Sequence, residues 1–322
     1  MPGSLATRRP LGASGLDVSP ICLGTNVFGW TADPDASFAV LDAFIEHGGN
    51  FIDTANIYSA WTPGNHGGES ETIIGRWLAE TGNRDRVVIA TKVGMAGGAF
   101  TKGLTRDHIR RGVEGSLERL QTDTLDLFYA HEDDPDTPLS ETLAAFDELV
   151  REGLVRAVGS SNYSTERLTD ALDISAAAGL TAFSVHQPHF NLLDRDGYEG
   201  PLEALCVARG LGVAPYYALA RGFLSGKYRP DAAVPQSGRA AGVEHDYMNA
   251  RGWSVLAAVD RIAAAHDASP AQVAIAWLLA RPSITAPIVS ATTPDQLADL
   301  AVAATVSLQT DDIATLDAAG AR

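Results

Sequence analysis

Eight short apolar runs, at residues 21–24, 51–53, 87–92, 125–131, 157–160, 183–186, 212–216 and 286–290, punctuate this chain, with segments of helical spacing between them. Runs that are apolar throughout, rather than alternating, mark strands buried on both faces, and such strands belong to parallel sheets covered by helices. The intervening segments supply the cover. Ile109, Val113, Leu117 and Leu120 fall on one helical face behind Thr105, Asp107 and His108, which read as a capped start. Leu139, Leu143, Phe146 and Val150 repeat the pattern after Pro138; Ser164 opens and Gly179 closes the next helix, and Ser269-Pro270 starts a late one. Strand then helix, eight times over with no compositional break, predicts an α/β fold of the (β/α)8 TIM barrel type, a single domain spanning residues 1–322.

The rival architecture is an open doubly wound sheet, whose dinucleotide-binding form carries G-x-G-x-x-G between an early strand and its helix. That motif is absent. Gly12-Ala-Ser-Gly15 instead reads as a hairpin turn between residues 7–9 and 18–20, an N-terminal β-hairpin plug over one barrel end. After strand 7, residues 222–251, with Gly222, Gly226, Pro230, Pro235 and Gly238, form a connection too long and polar for a routine barrel loop, so a ligand-covering role is expected. Residues 60–68 make a shorter glycine-rich loop at the mouth, and residues 94–98 read as a flexible loop rather than a phosphate cradle.

Charge narrows the partners. With 24 Lys and Arg against 40 Asp and Glu, the formal charge is -16 and the pI about 4.8, so polyanions are repelled at long range and nucleic acid is not an expected partner. A phosphate group held by this chain needs backbone N–H groups and a few placed cations. No apolar run approaches the roughly 20 residues of a membrane span, and the arginines near the N-terminus precede no apolar block of a secretory signal. A cytoplasmic protein is expected. Cys22 and Cys206, distant and each in an apolar run, read as buried free thiols, and no set of ligands at metal-binding spacing is evident.

In a barrel, side chains at the C-terminal strand ends converge on one face, where active sites are built. Asp53 ends the second run, Tyr58 follows it, Lys92 ends the third and His131 the fourth. A phenol with a free pKa of about 10 donates a proton reluctantly unless its anion is stabilised. Lys92 would supply that cation, Asp53 would orient the ammonium, and His131 would offer an N–H to the same substrate oxygen. This is general-acid machinery for reducing a carbonyl, with the hydride coming from elsewhere.

The blocks "NFIDTANIYS", "GGESETIIGRWL", "VVIATKVG", "DLFYAHEDDPDTPLSETLAAFDELVREGLVRAVGSSNYS" and "ARGFLSGKY" resemble those of the aldo-keto reductases, in that family's order, from Leu23-Gly24-Thr25 to Pro287-Ile-Val-Ser290. The resemblance implies a (β/α)8 enzyme reducing aldehydes or ketones with NADPH, or NADH, and casts Asp53, Tyr58, Lys92 and His131 as catalytic, Tyr58 being the proton donor. It further implies that Gly24, Thr25 and Asp53 border the cofactor, and that Ser161, Asn162 and Gln187 hold the nicotinamide carboxamide, to which amide side chains offer both donors and acceptors. Tyr216 would stack under the nicotinamide ring. Leu219, Arg221 and Lys227 would wrap the pyrophosphate, and Gln296 and Asp299 would meet the adenosine end.

Departures from the family pattern are as specific as the matches. Tyr217 and Ala218 stand at a usual Ser-Pro pair, Ser290 at a usual Gly or Lys, and Leu300 at a usual Asn. No Lys or Arg lies between Pro282 and Asp317, so a 2′-phosphate would rely on Arg239 or on the Thr292 hydroxyl. Trp30, Tyr58, Trp61 and His131 are expected to contact the small-molecule carbonyl substrate, with His245, Tyr247 and Trp253 around the mouth. Two other readings exist: a nicotinamide-binding sensor or accessory subunit with little turnover, and a barrel hydrolase or isomerase using Asp53 and His131 alone, which leaves Tyr58 and Lys92 without a task.

Overall fold

The computed structural model describes residues 4–321. A hairpin of β1 (Arg9–Pro10) and β2 (Asp17–Val18) comes first, shorter than the expected 7–9 and 18–20 arms. Eight parallel strands follow: β3 (Cys22–Gly24), β4 (Phe51–Asp53), β5 (Val88–Val93), β6 (Leu125–Ala130), β7 (Val155–Ser161), β8 (Val185–Gln187), β9 (Gly212–Val213) and β10 (Ile288–Val289). They form one sheet in the order β10-β3-β4-β5-β6-β7-β8-β9. The two end strands share no ladder, yet Thr285 N–H donates to Val213 O at 2.9 Å and Ile288 N–H to Pro215 O at 2.9 Å, which closes the barrel. The fold is the (β/α)8 barrel.

Outside it lie α1 (Pro34–Glu46), α2 (Glu69–Thr81), α3 (Arg106–Leu120), α4 (Leu139–Arg151), α5 (Thr165–Ala178), α6 (Pro201–Ala208), α7 (Ala240–Tyr247), α8 (Ala250–Ala265), α9 (Pro270–Leu279), α10 (Pro294–Val302) and α11 (Thr310–Gly320). The caps expected from sequence form: Thr105, Ser164 and Ser269 each accept a bond from a first-turn N–H, and Gly179 ends α5 with φ of 64°. Segment 222–251 departs from the expected loop, because α7 folds within it. Among the described residues no helix is long and apolar enough to cross a membrane, and Cys22 and Cys206 are buried free thiols.

Two apolar layers follow from the period-2 geometry of strands. One set of strand residues faces the helices, while the other, including Cys22, Phe51, Val88, Ala90, Leu127, Tyr129, Ala157 and Val185, fills the barrel together with Leu11, Leu16 and Val18 of the hairpin. The hairpin thus plugs the end opposite the C-terminal strand ends. Its seat requires glycine at position 12: φ is +56° and a Cβ would lie 2.0 Å from Gly212 N. Continuing the inward series by two residues per step gives Asp53 after Phe51, Lys92 after Ala90, His131 after Tyr129, and Gln187 after Val185. The barrel's own alternation therefore aims these four into one mouth.

His186 points the other way. It lies within 3.0 Å of Ser160 Oγ, and burial pushes its imidazole pKa down to about 4. The unfolded chain takes up this proton near pH 6.5 while the folded chain does not until about pH 4. Stability is therefore expected to fall as pH drops through that window, by about 2 kcal/mol from this residue at pH 5. Urea unfolding at pH 7 and pH 5 checks it: His186→Gln should flatten the slope, and an unchanged slope would remove His186 as its source.

Candidate active site

A cavity of about 720 Å³ opens at the C-terminal strand ends. At its floor Lys92, fully buried, donates from Nζ to Asp53 Oδ2 at 2.7 Å, to Tyr58 Oη at 2.7 Å and to the Thr54 carbonyl at 2.7 Å. The Tyr58 hydroxyl donates to Asp53 Oδ2 at 3.1 Å, and Gln187 Nε2 donates to Asp53 Oδ1 at 2.8 Å. Each carboxylate oxygen of Asp53 is thereby occupied, as a buried charge requires. His131 completes the group, its ring 6.2 Å from that of Tyr58, edge to face.

Burial dominates the electrostatics at the floor. Burial first, and the neighbouring Asp53 second, push the Tyr58 phenol well above its ordinary pKa. Burial lowers the Lys92 ammonium against the pull of Asp53. Lys92 thus does not make Tyr58 a stronger acid at rest; the phenol holds its proton while the ammonium stands ready to bond a phenolate. Burial, then Lys92, hold His131 well below the usual imidazole range, so the ring is neutral at pH 7 and carries a single N–H. Its Nδ1 is buried without a hydrogen-bond partner among the described residues.

A chain of side chains runs from the floor along one wall. Asn162 donates from Nδ2 to the His131 carbonyl at 2.9 Å and to Ser161 Oγ at 3.1 Å, and accepts from the Tyr216 hydroxyl at 2.8 Å. Gln187 therefore spends an N–H on Asp53, and Asn162 spends both N–H groups and one lone pair of its oxygen inside the protein, the second lone pair remaining as an acceptor. Asn162, Tyr217 and Arg221 all line the cavity with left-handed φ values of 57°, 55° and 56°, a backbone cost that non-glycine residues bear mainly at functional sites.

Beyond them lie the cations. Arg221 pairs with Asp246 of α7 at 2.9 Å. Lys227 and Arg239 have no carboxylate partner among the described residues, and burial lowers both pKa values. The Arg239 guanidinium donates to Asn26 Oδ1 at 3.1 Å, sits 5.7 Å from the centre of the Trp30 ring, and Ser290 Oγ donates to the same Asn26 oxygen at 3.0 Å. Segment 222–251 thus spans the mouth to β3. Gly24, Leu219, Thr292, Gln296 and Asp299 also line the cavity; Gln296 accepts from Thr292, and Asp299 accepts from Gln272 and Ser269.

Some expected positions lie elsewhere. Thr25 does not reach the cavity: its hydroxyl donates to the Asp53 carbonyl at 2.8 Å and accepts from Ser70, so it braces the β3 and β4 ends from behind. Trp30 and Trp61 do line the mouth, edge to face at 5.6 Å. Tyr247 is buried and bonded to Asp194, Trp253 packs against Phe223 at 5.1 Å, and His245 points to solvent beside Asp246. Sequence reading missed Asn26, which its place directly after Gly24-Thr25 would have indicated, and Met95, which carried no signal.

A closed parallel barrel with an acid, phenol, amine and imidazole at its mouth, beside a cation-lined channel, is the frame of an oxidoreductase. Residues 20–321 match the model of the Aldo/keto reductase family. The chain is 37% identical to the uncharacterized oxidoreductase YrpG of Bacillus subtilis over 317 residues, 95% of this chain and 94% of that one. It is 31% identical to a norsolorinic acid reductase of Aspergillus flavus over 332 residues, 98% and 81% of the two chains. To a probable voltage-gated potassium channel subunit beta of Arabidopsis thaliana it is 33% identical over 297 residues, 89% and 88%. The chain belongs to the aldo/keto reductase family and is an oxidoreductase.

Proposed function

We propose that this protein reduces an aldehyde or ketone to the alcohol with NAD(P)H, Tyr58 acting as general acid. The observation that carries the reading is the three-way contact of Lys92 Nζ with Asp53, Tyr58 and the Thr54 carbonyl, which fixes a protonated phenol at the floor of an open cavity. A bound nicotinamide supplies the hydride. The carbonyl oxygen lies between the Tyr58 hydroxyl and the neutral His131, which donates its one N–H and polarises the C=O. As negative charge develops on that oxygen, the phenol proton turns from Asp53 to the substrate, and the Lys92 ammonium bonds the phenolate left behind. Asp53 keeps its contacts to Lys92 and Gln187 throughout.

The cofactor fits what the chain leaves unpaired. Lys227 and Arg239 are cations without carboxylate partners among the described residues, in a protein of net charge -16, and Gln187 and Asn162 line the same channel as the flat ring of Tyr216. NADPH is the favoured form, Arg239 being the cation placed for a further phosphate. Arg239→Met is expected to weaken NADPH binding about tenfold, the order of one charge-assisted bond, and NADH binding less. Fluorescence titration through Trp30 and Trp61, followed by a carbonyl-substrate screen with the better binder, tests the whole reading. Failure of both nucleotides to quench would end it.

The channel-subunit relatives favour a second reading, nicotinamide binding with slow turnover in the service of a partner. Tight NADPH binding without oxidation across a broad aldehyde and ketone panel would select it.

A further inference from the structure

We propose that Asp194 is a junction through which helix α7 positions the Tyr216 ring, with His189 as the positioning residue between them. One oxygen of Asp194, Oδ2, accepts from Asn191 Nδ2 at 2.9 Å and from the Tyr247 hydroxyl at 2.6 Å, and His189 Nε2 lies 3.0 Å from the same oxygen. Burial works against the charge, yet these bonds bring the carboxyl pKa down to about 2, so the junction is ionised at any pH of interest. A surface carboxylate that merely capped its own turn would not need them.

What these side chains touch gives the junction its reach. The His189 ring stacks on Tyr216 with centres 5.1 Å apart and planes 16° from parallel, and meets Tyr217 edge to face at 5.3 Å. Tyr216 lines the cavity, so His189 is its backing plate, and the 3.0 Å contact with Asp194 ties that plate to the junction. Asn191 Nδ2 also donates to the Tyr217 carbonyl at 3.0 Å, holding the left-handed backbone there. The other donor, Tyr247, ends α7, the helix of the segment that covers the cavity. One residue earlier, Asp246 pairs with Arg221, whose guanidinium lies 5.0 Å from the centre of the Tyr217 ring. Both attachments of α7 therefore lead within two residues to the Tyr216-Tyr217 pair. Lifting α7 must either break a short charge-assisted bond or move the ring.

The inference rests on Tyr216 being the platform for the nicotinamide, and two independent readouts keep the two ideas apart. The first is hydrogen exchange on the ligand-free protein. Tyr247→Phe, which keeps the buried ring and deletes only the hydroxyl, should speed exchange in residues 240–247 and also in 214–222. In a His189→Leu background the same substitution should no longer alter 214–222. The second is NADPH dissociation, expected to be five- to tenfold faster in Tyr247→Phe and in His189→Leu, with the double variant no faster than either alone. His189→Gln, which keeps a polar group beside Asp194 but not the stacked ring, should retain the α7 effect while losing cofactor hold. Exchange confined to 240–247, or dissociation rates that multiply in the double variant, would overturn the junction. Absence of NADPH binding with coupled exchange would sustain the junction and refute the cofactor reading instead.

Discussion

Tyr58→Phe is expected to lower carbonyl reduction by three to four orders of magnitude while leaving NADPH affinity within about twofold, the size reflecting loss of a positioned general acid. The substitution removes one oxygen and no ring atoms. Asp53 Oδ2 keeps its bond from Lys92 and Oδ1 its bond from Gln187, so the buried carboxylate stays paired and the fold is undisturbed. The phenol holds its proton at rest because burial and Asp53 disfavour the anion. It follows that the wild-type enzyme should not lose its acid between pH 6 and 9, and that the variant's residual rate should be equally flat there. Steady-state turnover and fluorescence titration of both proteins decide it. Turnover in the variant within tenfold of wild type would move the proton donor to another group, with His131 next in line.

Lys92→Met should act on two quantities at once. It fills the same volume with an uncharged chain but strands Asp53, an almost fully buried carboxylate, with only Tyr58 and Gln187 as donors. Breaking one partner of a buried ion pair costs about 3–5 kcal/mol, so the denaturation midpoint should fall markedly and turnover should be lost. The double substitution Lys92→Met with Asp53→Asn removes both charges and should recover much of the stability, since a neutral amide carries a smaller desolvation penalty, while restoring no activity. Chemical denaturation of wild type and the two variants reads this directly. Equal stability of Lys92→Met and wild type would show that the Lys92–Asp53 pair contributes nothing to folding, and the charge scheme at the floor would fail with it.

The legible part of this molecule is the part written in short-range patterns. Apolar runs found β4 at its observed bounds and β6 to within one residue, because a strand buried on both faces leaves a continuous signature whatever surrounds it. The runs at 212–216 and 286–290 overreach, since only two residues of each join the sheet ladder and the rest close the barrel through single backbone bonds. Helix α7 went unseen for a related reason: it buries only Val243 and Tyr247, too few for a face to stand out in a glycine- and proline-rich neighbourhood. Aromatic residues misled most. Nothing local distinguishes Trp61, open at the mouth, from Trp253, packed on Phe223, or from Tyr247, turned in to Asp194.

The linear chain determined its strands, its caps and the inward parity that sends Asp53, Lys92, His131 and Gln187 to one end of the barrel, since alternation along a strand is a property of the backbone alone. Tertiary structure decided the chemistry of those groups. Gln187 meets Asp53 across 134 residues, the phenol's proton is held by burial that no neighbour in sequence supplies, and Asp194 accepts from Tyr247, 53 residues along the chain. Distance and desolvation fix acidity, and both exist only once the barrel has closed.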